Sequence, residues 1–360
     1  MMNVLFISRP TLFSTPGGDT VQMEKTKEYL EKNFDIQVSI ETELASINYI
    51  EYDLIHFFNI IRPNNILPHL PSGLPYVVSP IYVDYSEYDQ EARGGVFGKL
   101  SKLFGKGRTE YLKSIARWVK NGENPGAFYY LVRGYNKSIE KVLKNCRVVL
   151  PNSNSELNRL KNDFAFSSKS VVVPNAVDTS KFRELIGGNK SGVICVARIE
   201  GRKNQLNLIR AIKKTDIRLT IIGKPSPNHI GYYNQCRNEA NDQVSFVDHI
   251  NQEELRNYYS AARVHAMVSW FETTGLSSLE AAACGANLVI SDKGDQREYF
   301  GDDVFYADPD NVDSIKDAII KAYKTKPSQK LLDRIRNEYN WEQTAKQTMS
   351  AYKFALKERK

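Results

Sequence analysis

The chain has 360 residues, 49 lysines and arginines against 42 acids, a net charge of +7, and 41% hydrophobic and 25% charged residues. This composition excludes a disordered chain, a collagen and a coiled coil, and the length predicts two domains. No apolar run approaches the roughly 20 residues that span a bilayer, and Asn3–Ser8 reads as a strand, not as part of a signal peptide. Cys146, Cys195, Cys236 and Cys284 contain no CxxC pair, and His56, His69, His229, His249 and His265 have no metal-ligand spacing. Free thiols in a reducing compartment are expected, with neither a disulfide frame nor a metal site.

In chain order, short apolar runs alternate with helical patterns. Candidate strands are Val4–Ser8, Gln37–Ile40, Leu54–Phe58, Tyr76–Ser79, Arg147–Leu150 and Ser170–Val173. Residues 91–145 interrupt this series with twelve cations and four acids, so their net charge of +8 accounts for the whole chain's +7. Phe97, Leu100, Leu103 and Phe104, then Leu112, Ile115, Trp118 and Val119, follow helical spacing and predict two basic amphipathic helices split at Gly105 and Gly107. Two readings stay open for them: attraction to an anionic membrane surface or lipid-linked phosphate, or a cover for their own domain's core. The stretch matches no standard nucleic-acid motif, so no nucleic-acid partner is expected.

The second series is Gly192–Ala197, Arg218–Ile222, Val244–Val247, Val264–Met267, Asn287–Ile290 and Val304–Tyr306. Ser153-Asn-Ser-Glu156 fits a capping box and Asn251-Gln-Glu-Glu254 resembles one. A long amphipathic helix from about Trp341 closes the chain. Alternation of strands and helices predicts an α/β protein of two Rossmann-like, doubly wound parallel domains, with ligands at strand carboxyl ends and an inter-domain cleft. The polar, glycine-containing stretch 184–191 places the boundary, giving domains 1–188 and 189–340 followed by a terminal segment 341–360.

Four motifs carry chemistry. Thr15-Pro-Gly-Gly-Asp-Thr20 follows the first strand and opens a helix, where Gly17 and Gly18 would let a ligand approach the helix N-terminus. It is not a dinucleotide fingerprint. Val173-Pro-Asn-Ala-Val-Asp178 is by itself a turn. Arg198 and Lys203 flank a helix start after the second domain's first strand, as two cations that neutralise a diphosphate would. In Trp270–Gly285, Glu272 and Glu280 stand eight apart around Gly275. There Ser277 or Ser278 is expected to cap a helix whose N–H groups near Gly275 and Leu276 face a phosphate. Glu280, in the first turn or so, would take the two hydroxyls of a ribose, and Glu272 a sugar hydroxyl.

Together and in this order the motifs resemble a GT-B glycosyltransferase of the retaining family 4, the glycosyltransferases group 1. The resemblance covers nearly the whole chain. The family's Pro-Asn-Gly-Val-Asp appears as Pro174–Asp178, its Gly-Arg-Leu…Lys-Gly as Ala197-Arg198-Ile199…Lys203-Asn204, and its E(x)7E as Glu272 and Glu280. Glu298 sits where a Gly-x-x-Glu is frequent, and Trp341-Glu342 starts the family's helix that crosses back to the N-terminal domain.

The resemblance implies transfer of a hexose from a nucleotide-sugar donor to a glycan or lipid-linked acceptor, with no metal and no cofactor, in surface polysaccharide or lipopolysaccharide synthesis. It implies a cytoplasmic protein, peripheral on the inner face of the membrane. Arg198 and Lys203 would stabilise the departing diphosphate, Glu280 would hold the ribose, and Glu272 with the backbone of Gly275 and Leu276 would hold the donor sugar. Gly17 and Gly18 would admit the diphosphate to the N-terminal loop. Among the departures from the family, Ile81, to within a residue, and Phe58 stand where it has histidines, and Thr273-Thr274 replaces the usual Gly-Phe. No general base or acceptor-positioning residue is therefore identified; nearby Asp84 is a candidate. Alternatives are an inactive nucleotide-sugar-binding partner, a GT-B sugar-nucleotide epimerase, and a metal-dependent transferase using Asp308 and Asp310, a segment that reads better as a turn and helix cap.

Overall fold

A computed structural model describes residues 1–42, 47–83, 128–185 and 189–357. The expected basic helices between 91 and 127, and Asp84, lie outside the described residues. The described residues divide into two units, one running to Asn175 and resuming at Trp341, the other comprising Ala176–Asn340.

The first unit holds a parallel sheet of β1 (Met2–Ile7), β2 (Ile36–Glu41), β3 (Leu54–Phe58), β4 (Tyr76–Ser79), β5 (Val148–Val149) and β6 (Lys169–Ser170), ordered 2-1-3-4-5-6. Every residue of β3 and β4 is buried, as a parallel sheet covered on both faces requires. Helix α1 (Gly18–Asn33), the stretch α2 (Phe128–Asn145), broken at Gly134, and α3 (Asn154–Asp163) accompany it. The two-residue strands β5 and β6 are shorter than the sequence suggests. Ladder-like bonds continue past them, from Leu150 N–H to the Val78 carbonyl at 2.7 Å and from Val173 N–H to the Pro151 carbonyl at 2.8 Å.

The second unit repeats the architecture with β7 (Ser191–Val196), β8 (Leu219–Ile222), β9 (Val244–Val247), β10 (Ala262–Met267), β11 (Asn287–Ser291) and β12 (Phe305–Ala307), all parallel and ordered 12-11-10-7-8-9. Its helices are α4 (Gln205–Ile212), α5 (Ile230–Glu239), α6 (Gln252–Ala261), α7 (Leu276–Ala283), α8 (Gln296–Phe300), α9 (Val312–Lys324) and α10 (Gln329–Glu338). All twelve expected strands are present. Asn251 caps α6 through the Glu254 N–H at 2.9 Å, while the cap of α9 is Asn311 rather than Asp310. All four cysteines are free and buried.

The boundary expected at 188/189 is corrected. Val177 and Phe182 are each 2% exposed in the second unit's core, and Val177 N–H bonds the Tyr339 carbonyl at 2.9 Å. These contacts draw the residues after Asn175 into that unit, so the polar stretch 184–191 lies within it.

The terminal helix, α11 (Trp341–Lys357), belongs to the first unit and packs on α1, β4 and β5, burying Trp341, Ala345, Met349, Tyr352 and Ala355. His56 on β3 fixes it. Its Nδ1 pairs with the Tyr352 hydroxyl at 2.6 Å and its Nε2 with Ser79 Oγ at 2.8 Å, while Phe58 stacks on the ring at 4.0 Å. Burial lowers the imidazole to about 3. With both ring nitrogens engaged and its basicity lowered by burial, His56 acts as a structural strut.

Candidate functional site

Each sheet has one place where successive strands depart to opposite sides, and open α/β sheets bind ligands there, outside the strand carboxyl ends. In the second unit this switch point lies between β7 and β10, which are hydrogen-bonded neighbours. Lys203 follows β7 and Glu272 follows β10. Lys203 ends a short 3-10 turn, Gly201–Lys203, closed by Asn204, a left-handed residue with φ +60°. The buried Asn204 amide donates to the carbonyls of Val268 at 3.1 Å and Pro309 at 2.7 Å, which anchors the turn against the end of β10. Trp270 N–H bonds the Arg202 carbonyl at 3.0 Å. With the loops tied in this way, Lys203 Nζ donates to Glu272 Oε1 in a largely buried ion pair.

Backbone proximity sets the other side. Glu272 bridges Gly294, whose φ is +81°. A Cβ at 294 would stand 2.1 Å from the Glu272 carbonyl oxygen, so only glycine lets the two segments meet. Gly223 does the same beneath the Arg198 loop, where a Cβ would lie 2.1 Å from the Ala197 carbonyl oxygen. Gly294→Ala should cost about 1–3 kcal/mol of stability from strain and displace Glu272. Denaturant unfolding measures the first effect and ligand titration the second. A wild-type result in both would remove Gly294 as the support of Glu272.

Three residues after Glu272, Gly275 is the N-cap of α7, left-handed at φ 70°. The expected serine cap does not form: Gly275 provides no side chain, and the fully buried Ser278 Oγ has no partner. The first turn of α7 therefore offers its N–H groups, Leu276 among them, as a helix start free of side-chain caps. Glu280 lies in the second turn instead of the first. Its Oε2 accepts from the Tyr259 hydroxyl at 2.9 Å. Burial pushes this carboxyl up to about 7, and the Tyr259 bond opposes the rise.

Arg198 is exposed on the loop after β7. Glu200, invisible to the motif reading, is 3% exposed beside Arg202 Nε at 2.5 Å and Ser226 Oγ at 3.1 Å. Burial opposes its charge, but Arg202, Arg198 and Lys203 hold the carboxyl below its ordinary range. Three cations and two carboxylates thus leave this switch point with a net positive charge, reinforced by the positive end of α7.

In the first unit the switch point lies between β1 and β3. Gly17 and Gly18 are the N-cap and first residue of α1 there, and Gly17 is extended at φ −149°, a conformation open to any residue. Thr20 Oγ1 accepts the Gly17 N–H at 3.1 Å and donates to the Leu12 carbonyl at 3.1 Å. Arg9 organises the loop. It pairs with Asp19 through Nε at 2.6 Å and Nη2 at 3.1 Å, and reaches Thr11 and the Thr15 carbonyl at 2.8 and 2.9 Å. Sequence reasoning missed this hub, although an arginine directly after the strand and an aspartate after the glycines were the available signal. Ile81, where a histidine was expected, has φ +47°, rare for a β-branched residue. The buried Glu156 clamps that turn by accepting the N–H groups of Tyr82 at 2.5 Å and Asn152 at 2.6 Å.

Two doubly wound parallel sheets, the second with a cation, a paired carboxylate and an uncapped helix start at its switch point, define the GT-B class of α/β protein. Residues 177–341 match the family model described as glycosyl transferases group 1, and this segment, almost the whole second unit, belongs to that family. Among curated proteins, the chain is 27% identical over 203 residues to a phosphatidylinositol N-acetylglucosaminyltransferase subunit of Arabidopsis thaliana, covering 53% of this chain and 45% of that protein. It is 30% identical over 114 residues to O-antigen chain mannosyltransferase B of Escherichia coli, covering 31% and 30%. The chain thus spans less than half the length of these relatives. Among solved structures, sucrose-phosphate synthase of Thermosynechococcus elongatus superposes with a TM-score of 0.74 at 16% identity, over 98% of both chains. Anabaena HepE in complex with UDP-glucose does so at 0.73 and 13%, over 98% of this chain and 100% of that one. No helix among the described residues is long and apolar enough to cross a membrane.

Proposed function

We propose that the chain is a glycosyltransferase that moves a hexose from a nucleotide sugar to a glycan or lipid-linked acceptor, with retention of configuration and without a metal or cofactor. The observation that carries this reading is the Lys203–Glu272 pair at the second unit's switch point, three residues ahead of the uncapped start of α7. Arg198, Lys203 and the α7 N–H groups stabilise the departing diphosphate, the preorganised electrostatics that metal ions supply in other enzymes. Glu280 holds the ribose hydroxyls, and Glu272, through its second oxygen, a donor-sugar hydroxyl. In same-face transfer the acceptor oxygen bonds the anomeric carbon as the carbon–phosphate-oxygen bond breaks, and the acceptor proton passes to the leaving phosphate. This step asks for no side-chain nucleophile. Surface polysaccharide or lipopolysaccharide assembly at the inner face of the cytoplasmic membrane is the setting we favour; the O-antigen relative supports it, as does the charge of residues 91–145.

The test is thermal unfolding with UDP, GDP, dTDP and ADP in EDTA. One nucleotide should raise Tm, since a ligand of the folded state at about 100 times its Kd contributes about 2.7 kcal/mol. Glu280→Ala should abolish the shift. No shift with any of the four overturns the donor-site reading, and a shift that needs added divalent metal overturns metal independence.

A further inference from the structure

We infer that Tyr259 is a positioning residue for Glu280, holding one carboxylate oxygen so that the other is presented to the ribose. The inference rests on the donor-site reading of Glu280 for its ligand, but not for its geometry. Tyr259 lies on α6 and has no exposed surface. Its ring is wedged edge-to-face between Phe182, at 5.9 Å between centroids, and His265, at 5.8 Å. The phenol cannot swing away without disrupting both contacts, and its hydroxyl ends 2.9 Å from Glu280 Oε2. A hydroxyl held this way occupies one carboxylate oxygen and leaves Oε1 to accept from a ligand. Glu280 retains partial exposure, which is the opening a ligand would use.

The surroundings isolate this pair electrically. The titratable groups facing it are Cys284 just past α7, Cys195 on β7 and His265 behind the Tyr259 ring, with Lys190 and Arg256 beyond Cys284. Burial pushes both thiols up to about 12 and lowers His265 to about 3. Lys190 donates to the carbonyls of Ser260 and Cys284 at 2.9 and 2.8 Å. None of the three uncharged neighbours titrates near neutrality, so Glu280 does so alone, with the Tyr259 hydroxyl as the one neighbour favouring its charged form. A hydrogen bond to the ionised form lowers a carboxyl's pKa, so removing the hydroxyl should move the titration upward.

The readout is the carboxyl carbon resonance of Glu280 in protein labelled with 13C-glutamate, assigned by its loss in Glu280→Gln. The wild-type signal should titrate near neutrality, and in Tyr259→Phe its midpoint should rise by about one pH unit. An unchanged midpoint in a folded Tyr259→Phe protein overturns the inference. Should that variant melt too low to titrate, 3-fluorotyrosine at position 259, a stronger donor on the same ring, should lower the midpoint; no movement would again overturn it. Nucleoside diphosphate affinity should follow the same shift, falling about tenfold more at pH 6 than at pH 8.5 in Tyr259→Phe. A merely structural role would weaken binding equally at both. Absence of nucleotide binding in the wild type would refute the donor site, while the carboxyl titration would still decide the role of Tyr259.

Discussion

Lys203→Ala should lower kcat/KM for sugar transfer by about two to three orders of magnitude, the usual loss when one preorganised donor to a developing anion is removed. On the proposed reading the cation faces the departing diphosphate, and its pairing with Glu272 holds it in place. The same change strands the Glu272 carboxylate, which is only 9% exposed. Leaving such an acceptor without its partner costs about 1–3 kcal/mol. Adding Glu272→Gln to Lys203→Ala should therefore recover part of the stability and none of the rate, since contacting residues are not additive. Steady-state kinetics beside denaturant melts separates the two effects. A Lys203→Ala enzyme of normal kcat/KM would move the diphosphate elsewhere.

Glu280→Gln should act in opposite directions on stability and on binding. The carboxyl is lifted from its ordinary 4.5 to about 7, so the folded state holds a proton that the unfolded chain releases. An acid raised on folding contributes its stability at low pH and loses it as pH climbs from about 4.5 through 7, an effect of about 3 kcal/mol at most for a lift of this size. Glutamine keeps an acceptor for the Tyr259 hydroxyl and removes the buried charge. The ligand-free variant should therefore melt higher than wild type at pH 8 and equally at pH 4.5, while nucleoside diphosphate binding at pH 8 drops by at least tenfold. Equal melting of the two proteins at pH 8 would mean that Glu280 is charged there at no cost.

The strands were legible because parallel sheets covered on both faces force nearly unbroken apolar runs, as in Leu54–Phe58 and Asn287–Ser291. The pairing of Lys203 with Glu272 was legible only as two loops after two strands. Their meeting depends on β10 lying against β7, and strand order is not a local property of sequence. The domain boundary was misplaced because a polar, glycine-containing stretch resembles a linker, while the contacts that draw Val177 and Phe182 into the second core are long-range. The serine cap of α7 failed for a local reason: glycine at the N-cap left Ser278 a turn inside the helix, facing the core. Arg9, Glu200 and Tyr259 were missed because each acts on a neighbour that sequence spacing does not reveal.

The return of the chain to its first unit has a consequence for synthesis. Among the described residues the second unit is one continuous stretch, Ala176–Asn340, whereas the first needs the helix that begins at Trp341. His56 meets its partner Tyr352 only after 296 further positions have been translated. In order of synthesis the second unit is complete at Asn340, while the first still lacks the helix that covers the apolar flank of α1, β4 and β5. A chain released after Asn340 should therefore hold a protease-resistant second unit and a cleavable first one.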